Sequence, residues 1–264
     1  MQMEDKLIFI TNDDGILAPG IQVLARLMSR LGRVVVVAPD SARSGAACSI
    51  TSGVPVMLTK VDEPQMPLTM VTQNPIEWYA CSGTPVDCVK LGSEQALNRA
   101  PDLMVSGINH GDNTSCSVHY SGTVGAVVEA CSKGWPAIAF SLCTFLKNPD
   151  FSPYADAVVK IASAILAKGM PSGECLNVNF PVVQQLKGVR VGRLAKGEWT
   201  GEWASASNPH GKQAFWLTGE FHNLEPESRD TDCAALDEGY ASVTPIRLDM
   251  TAYDSIQNLK NLLE

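Results

Sequence analysis

A chain of 264 residues, 45 % of them hydrophobic, is long enough for one large domain or a core with a smaller appendage. Its formal net charge of −8 argues against broad electrostatic binding to nucleic-acid polymers or anionic membranes. It leaves open a small phosphorylated ligand, because a bound metal can supply local positive charge.

No apolar run approaches the length needed to cross a bilayer, and Met1 to Lys6 lacks the charged and apolar regions of a secretory signal. The eight cysteines include no C-x-x-C pair and read as small buried hydrophobes of a reducing cytoplasm. Leu7 to Thr11 is a short branched and aromatic run, the first expected strand. After the turn Asn12-Asp13-Asp14-Gly15, apolar residues recur at helical spacing at Ile21, Leu24, Leu27, Met28 and Leu31, and Gly32 ends the pattern. Val34 to Val37 suits a strand buried on both faces, which makes the opening a right-handed β-α-β unit. Thr84-Pro85 caps an expected helix over 86–97. A strand over 102–105, a helix over 122–132 and a strand over 136–141 follow.

A helix is expected to open at Ser152-Pro153 and run to Lys168. Leu176 to Phe180 alternates apolar residues with asparagine, as a strand at an edge or near a site would. Residues 1–182 therefore read as a doubly wound, mostly parallel α/β domain. From 183 to 264 the pattern changes to a β-rich extension, with strands expected over 189–194, 215–217 and 241–246 and a last helix over 252–263. These strands have few evident partners in the first domain, so pairing with another subunit is expected.

Ligands of open parallel sheets bind beyond the carboxyl ends of the strands. Three polar loops fall there. In Asn12-Asp13-Asp14-Gly15, two adjacent carboxylates at the mouth of a buried strand are costly without a compensating cation, and a hard divalent ion suits them. Taken alone, the same residues also make an ordinary solvated turn. Pro39 to Gly45 offers hydroxyls, Arg43 and a glycine for an oxyanion, or simply a polar loop. Ser106 to Asn113, with Tyr120-Ser121-Gly122-Thr123, ends where a helix begins. That terminus attracts phosphate, although a plain N-cap would also explain it. Asn109 can give a neutral oxygen to a metal, and His110 and His119 are candidate general acids. The fingerprints G-x-G-x-x-G, G-x-x-x-x-G-K-[ST] and G-x-S-x-G are all missing.

Several segments, in order and spacing, resemble the SurE family, the stationary-phase survival proteins. They are Asn12-Asp13-Asp14-Gly15 with Ala18-Pro19-Gly20-Ile21, Val37-Ala38-Pro39-Asp40 with Arg43-Ser44-Gly45, and Gly83-Thr84-Pro85 with Asp87-Cys88. Pro101-Asp102, Ser106-Gly107-Ile108-Asn109, Tyr120-Ser121-Gly122-Thr123 and Asp237-Glu238-Gly239-Tyr240 continue the match. The stretch from His110 to His119 departs from the pattern, which bears on substrate preference.

The resemblance implies a Rossmann-like core with a β-rich extension, in homodimers or homotetramers that exchange C-terminal elements. It implies a phosphomonoesterase that acts on nucleoside 5′- and 3′-monophosphates, with some members active on polyphosphate. It also implies one divalent ion, Mg²⁺ or Mn²⁺, on Asp13, Asp14, Ser44 and Asn109. Asp13, Asp14 and Asn109 would be catalytic. Asn12, Gly15, Ser44, Gly45, Ser121, Gly122 and Thr123 would line the phosphate site, with Arg43 as a further source of positive charge. The nucleophile is then either a water or a carboxylate such as Asp13, and the sequence leaves both open. A nucleotide-binding or sensing protein without turnover is the first alternative. An NAD-dependent oxidoreductase, with Asp40 on a ribose, is the second.

Overall fold

The four-valine run shows how this sequence builds its sheet. Successive side chains of a strand point to opposite faces. Val34 and Val36 pack into one apolar layer with Ile8, Ile10, Leu24, Leu27 and Phe140, while Val35 and Val37 enter the other with Phe9, Val89, Val127 and Ala139. Each such fully buried side chain contributes about 1.5–3 kcal/mol of transfer free energy. The strand is therefore fixed from both sides.

In a computed structural model that describes residues 6–64, 72–207 and 211–264, that strand belongs to a nine-stranded sheet. The strands are β1 (Leu7–Thr11), β2 (Arg33–Pro39), β3 (Leu58–Val61), β4 (Ile76–Cys81), β5 (Leu103–His110), β6 (Ala137–Leu142), β7 (Glu174–Phe180), β8 (Val189–Val191) and β13 (Ala241–Arg247). Their order is β3-β4-β2-β1-β5-β6-β7-β13-β8. From β4 to β7 all neighbours are parallel; β3 and β13 run antiparallel to β4 and β7. Helices α1 (Pro19–Met28) and α4 (Ala155–Lys168) cover one face, and α2 (Pro85–Gln95) and α3 (Gly122–Ser132) the other. This is the doubly wound α/β arrangement expected from the sequence. Among the described residues no helix is long and apolar enough to cross a membrane.

The chain leaves β1 for β2 on one side, then returns to place β5 on the other. The crevice at the carboxyl ends of β1 and β5 is thus the topological switch point. Helix α1 lies directly on β5, because a Cβ at Gly20 would sit 1.9 Å from the Ile108 carbonyl oxygen.

Several expectations are corrected. Of the two readings of the Leu176–Phe180 run, the edge fails and the site holds: β7 is interior, between β6 and β13, and its buried Asn177 and Asn179 hydrogen-bond Asn113, which lines the cavity described below. Strands β13 and β8, expected to find few partners in the first domain, extend the same sheet beyond residue 182. β5 continues through Ser106-Gly107-Ile108-Asn109, a stretch that reads as loop, with a register shift between Ser106 and Asn109.

Between β8 and β13 the chain forms an arm. It holds β9 (Gly197–Thr200) paired with β12 (Glu220–Asn223), and β10 (Trp203–Ala206) paired with β11 (Ala214–Leu217). Helix α5 (Asp232–Asp237) follows the arm, and α6 (Tyr253–Leu263) ends the chain with no buried residue.

Candidate active site

The Asp13-Asp14 turn is built to be rigid. Asn12 Nδ2 donates to the Gly15 carbonyl at 2.9 Å, and Gly15 takes a positive φ of 96° where a Cβ would press on Ser41 and Ala42 at 3.2–3.3 Å. Only glycine enters that conformation without strain. The loop after β2 is stitched onto this turn by Ile16 N to Pro39 O at 2.8 Å and Arg43 N to Asp13 O at 2.6 Å. Its far end is held by Ala47 N on Tyr120 O at 3.1 Å. Thr51 donates to Asp87, which also closes the capping box with Thr84 at the start of α2. Ser44 and Gly45 ride on this tethered loop.

Asp13 is 4 % exposed and meets the N-terminus of α3. A side chain at Gly122 would begin 2.9 Å from Asp13 Cβ, so glycine lets the first helical turn close on the carboxylate. The Thr123 hydroxyl donates to Asp13 Oδ1. Burial pushes the Asp13 carboxyl up to about 6; the Thr123 bond opposes this and the neighbouring Asp14 charge adds to it. Asp14 Oδ2 accepts from His110 N at 3.1 Å and lies 3.3 Å from His110 Nδ1. At the end of β5, Asn109 Nδ2 donates to the Gly111 carbonyl at 2.9 Å, which fixes the amide plane.

A cavity of about 570 Å³ opens here. Asp13, Ser44, Gly45, Asn109, His110 and Ser121 are among its lining residues, joined by Asp112. Tyr120, Phe145 and Trp199 stand around it with Glu202, Leu217 and Thr218 of the arm. No lysine or arginine is among its described lining residues.

Other expected site residues are placed differently. Asn12 and Gly15 shape the turn beneath the cavity rather than its wall. Thr123 spends its hydroxyl on Asp13, and the Ser121 hydroxyl accepts from Val124 N as the N-cap of α3. Arg43 turns away and donates to the Ser82 carbonyl at 3.0 Å, so its guanidinium does not serve the cavity. His119 is exposed and off the lining. His110 lines the cavity; its ring meets Asp14 through Nδ1, and its Nε2 is buried without a hydrogen-bond partner. The arm residues escaped sequence reasoning, and Asp112 was reached only as part of the Ser106 to Asn113 loop. The one available signal was Trp199, a tryptophan in a polar Gly-rich stretch.

Among the described residues no three His, Cys, Asp or Glu side chains converge as a metal cage. A cation at this site would instead draw on Asp13, Asp14, the Asn109 amide oxygen and the Ser44 hydroxyl. That all-oxygen set is the kind a hard divalent ion takes, with water completing it. The residues fit such an ion. Asp13 is buried in the cavity wall and Asp14 half-buried beside it, off the lining; no lysine or arginine lines the cavity, and each carboxylate has one oxygen beyond those held by Thr123 and His110.

Fold and site together define a Rossmann-like α/β protein with an acidic ligand cavity at its switch point. The family model described as "Survival protein SurE" matches residues 8–201. Proteins named 5′-nucleotidase SurE from Phocaeicola vulgatus and Bacteroides fragilis are each 47 % identical to the chain, covering 99 % and 98 % of it and 98 % and 99 % of their own lengths. The crystal structure of the SurE protein from Aquifex aeolicus aligns with a TM-score of 0.81 at 36 % identity, over 98 % of this chain and all of that one. The chain belongs to the SurE family.

Proposed function

We propose that this protein is a divalent-metal-dependent 5′-nucleotidase: water adds to the phosphorus of a nucleoside 5′-monophosphate, the P–O5′ bond breaks, and nucleoside and inorganic phosphate leave. One observation carries the reading. The cavity lining combines the carboxylates of Asp13, Asp112 and Glu202, and no lysine or arginine, with the rings of Tyr120, Phe145 and Trp199. A phosphate dianion would be repelled from such a lining unless a cation came with it. The rings suit the base of the same molecule. The relatives named 5′-nucleotidase support the same activity.

When bound, Mg²⁺ or Mn²⁺ would supply the positive charge that polarises the phosphoryl oxygens and acidifies water. Asp13, Asp14, Asn109 and Ser44 would hold it. The chain's own contribution is placement. Asp13 is fixed by the Thr123 hydroxyl and Asp14 by His110, so neither carboxylate must reorganise during reaction. Gly45 and Ser121 of the cavity lining would face the phosphate, with the dipole of α3 favouring its charge. Action on 3′-monophosphates belongs to the same proposal. So does assembly into homodimers or homotetramers, since α6 leaves Ile256, Leu259, Leu262 and Leu263 exposed. All eight cysteines are free, which suits a cytoplasmic location.

The test is phosphate release from AMP and GMP by the purified chain with Mg²⁺, with Mn²⁺, after chelation, and in the Asp13→Asn variant. The expected result is metal-restored turnover, with at least a thousandfold loss in the variant. Undiminished release after chelation and in the variant would overturn the assignment.

A further inference from the structure

Three aromatic rings border the cavity, and they are held very differently. Phe145 is 87 % exposed and Tyr120 62 % exposed, whereas Trp199 is 36 % exposed. The Trp199 indole is fixed at two points: Nε1 donates to Ser117 Oγ at 3.2 Å, and the ring packs edge-to-face with Phe221 at 5.8 Å. Phe221 in turn fits because residue 197 is glycine; a Cβ there would lie 2.4 Å from its ring. A ring already immobilised on the wall of a ligand cavity loses little further freedom when a flat molecule stacks on it.

Three residues on, past the Gly201 turn, Glu202 borders the same cavity and makes no ion pair among the described residues. A carboxylate only accepts hydrogen bonds. It would repel a second or third phosphate and welcome a base edge that donates. Guanine offers two adjacent donors, N1–H and N2–H₂, matched to its two oxygens; adenine offers only its amino group there.

We propose that Trp199 is the platform on which the nucleotide base stacks, and that Glu202 reads the donor edge of that base and favours guanine. This rests on the 5′-nucleotidase reading and adds the substrate's second anchor to it.

The experiment compares kcat/KM for GMP, AMP and ribose 5-phosphate in the wild type and in Trp199→Ala, Trp199→Phe and Glu202→Gln variants. Ribose 5-phosphate carries the phosphate and sugar without a base. Stacking on an aromatic platform predicts a KM for GMP and AMP raised about 5- to 150-fold in W199A. Ribose 5-phosphate should be unchanged, and W199F should retain most of the wild-type value. E202Q should erase a preference of the wild type for GMP over AMP. The proposal is overturned if W199A impairs all three esters equally, if it impairs none, or if the GMP-to-AMP ratio ignores residue 202. A wild type that releases phosphate from none of the three would instead strike the nucleotidase reading itself, and the base platform with it.

Discussion

Replacing Asp13 by asparagine should make the metal-free protein more stable while abolishing its activity. The Asp13 carboxyl is buried and pushed from 3.8 to about 6. Between these values the folded state binds more protons than the unfolded one, so stability falls as pH rises through the window and stays low above it. Two units correspond to about 3 kcal/mol of disfavour for the charged form at neutral pH. Asparagine removes the charge but puts an N–H₂ where a carboxylate oxygen met donors, so the net gain is about 1–2 kcal/mol, or roughly 2–6 °C in Tm. Thermal melts in chelator at pH 7.5 and 4.5 give the readout. The variant should lead at 7.5, and the gap should narrow at 4.5. Added Mg²⁺ should raise the wild type alone, by linkage to the folded state. A variant that melts at or below the wild type in chelator at both pH values would refute the account of a desolvated, uncompensated carboxylate.

Gly125→Ala tests the tether of the Ser44 loop. A Cβ there would lie 2.1 Å from the Ala47 carbonyl oxygen, a backbone atom that can yield only if the loop moves. At least a tenfold fall in kcat/KM is expected. Alanine's helix propensity offsets up to about 1 kcal/mol of the strain, so the melting point should fall by only a few degrees. Unchanged kinetics would show that the loop is not held by this contact. Asp232→Ala tests the base of the arm. Its buried carboxylate accepts from Ser115 N, Ala195 N and Cys233 N, each at 2.8 Å. Stranding the first two should cost about 2–5 kcal/mol in urea unfolding and raise KM by loosening the turn that carries Ser117.

The sequence displayed the parts of this fold that obey a period. Val34 to Val37, the spacing of Ile21 to Leu31, and the Thr84-Pro85 cap all lie where the chain has a strand, a helix and a helix start. Strand β4 was hidden because Glu77 and Tyr79 interrupt its apolar pattern, yet Trp78 is almost fully buried. The polar end of β5 read as a loop for a related reason: Asn109 and His110 are there for the site, against local strand preference. The carboxylate pair was visible because its neighbours in the chain are its neighbours in space. Trp199 and Glu202 reach the cavity only through contacts across more than eighty residues, such as Trp199 with Ser117, which no local pattern encodes.

The neck of the arm has a consequence of its own. Outgoing residues 193–195 run beside incoming residues 230–232, clasped by Arg193 N to Asp230 O at 3.0 Å, Asp232 N to Arg193 O at 2.8 Å, and the Arg193 guanidinium on Asp230 and Glu225. Whatever lies between these points is an insert whose two ends are already joined. Its length and its side chains can change without shifting a single pairing in the great sheet. A scaffold of this kind can be retuned toward other leaving groups by exchanging one excursion of the chain, while the Asp13-Asp14 turn at the switch point stays as it is.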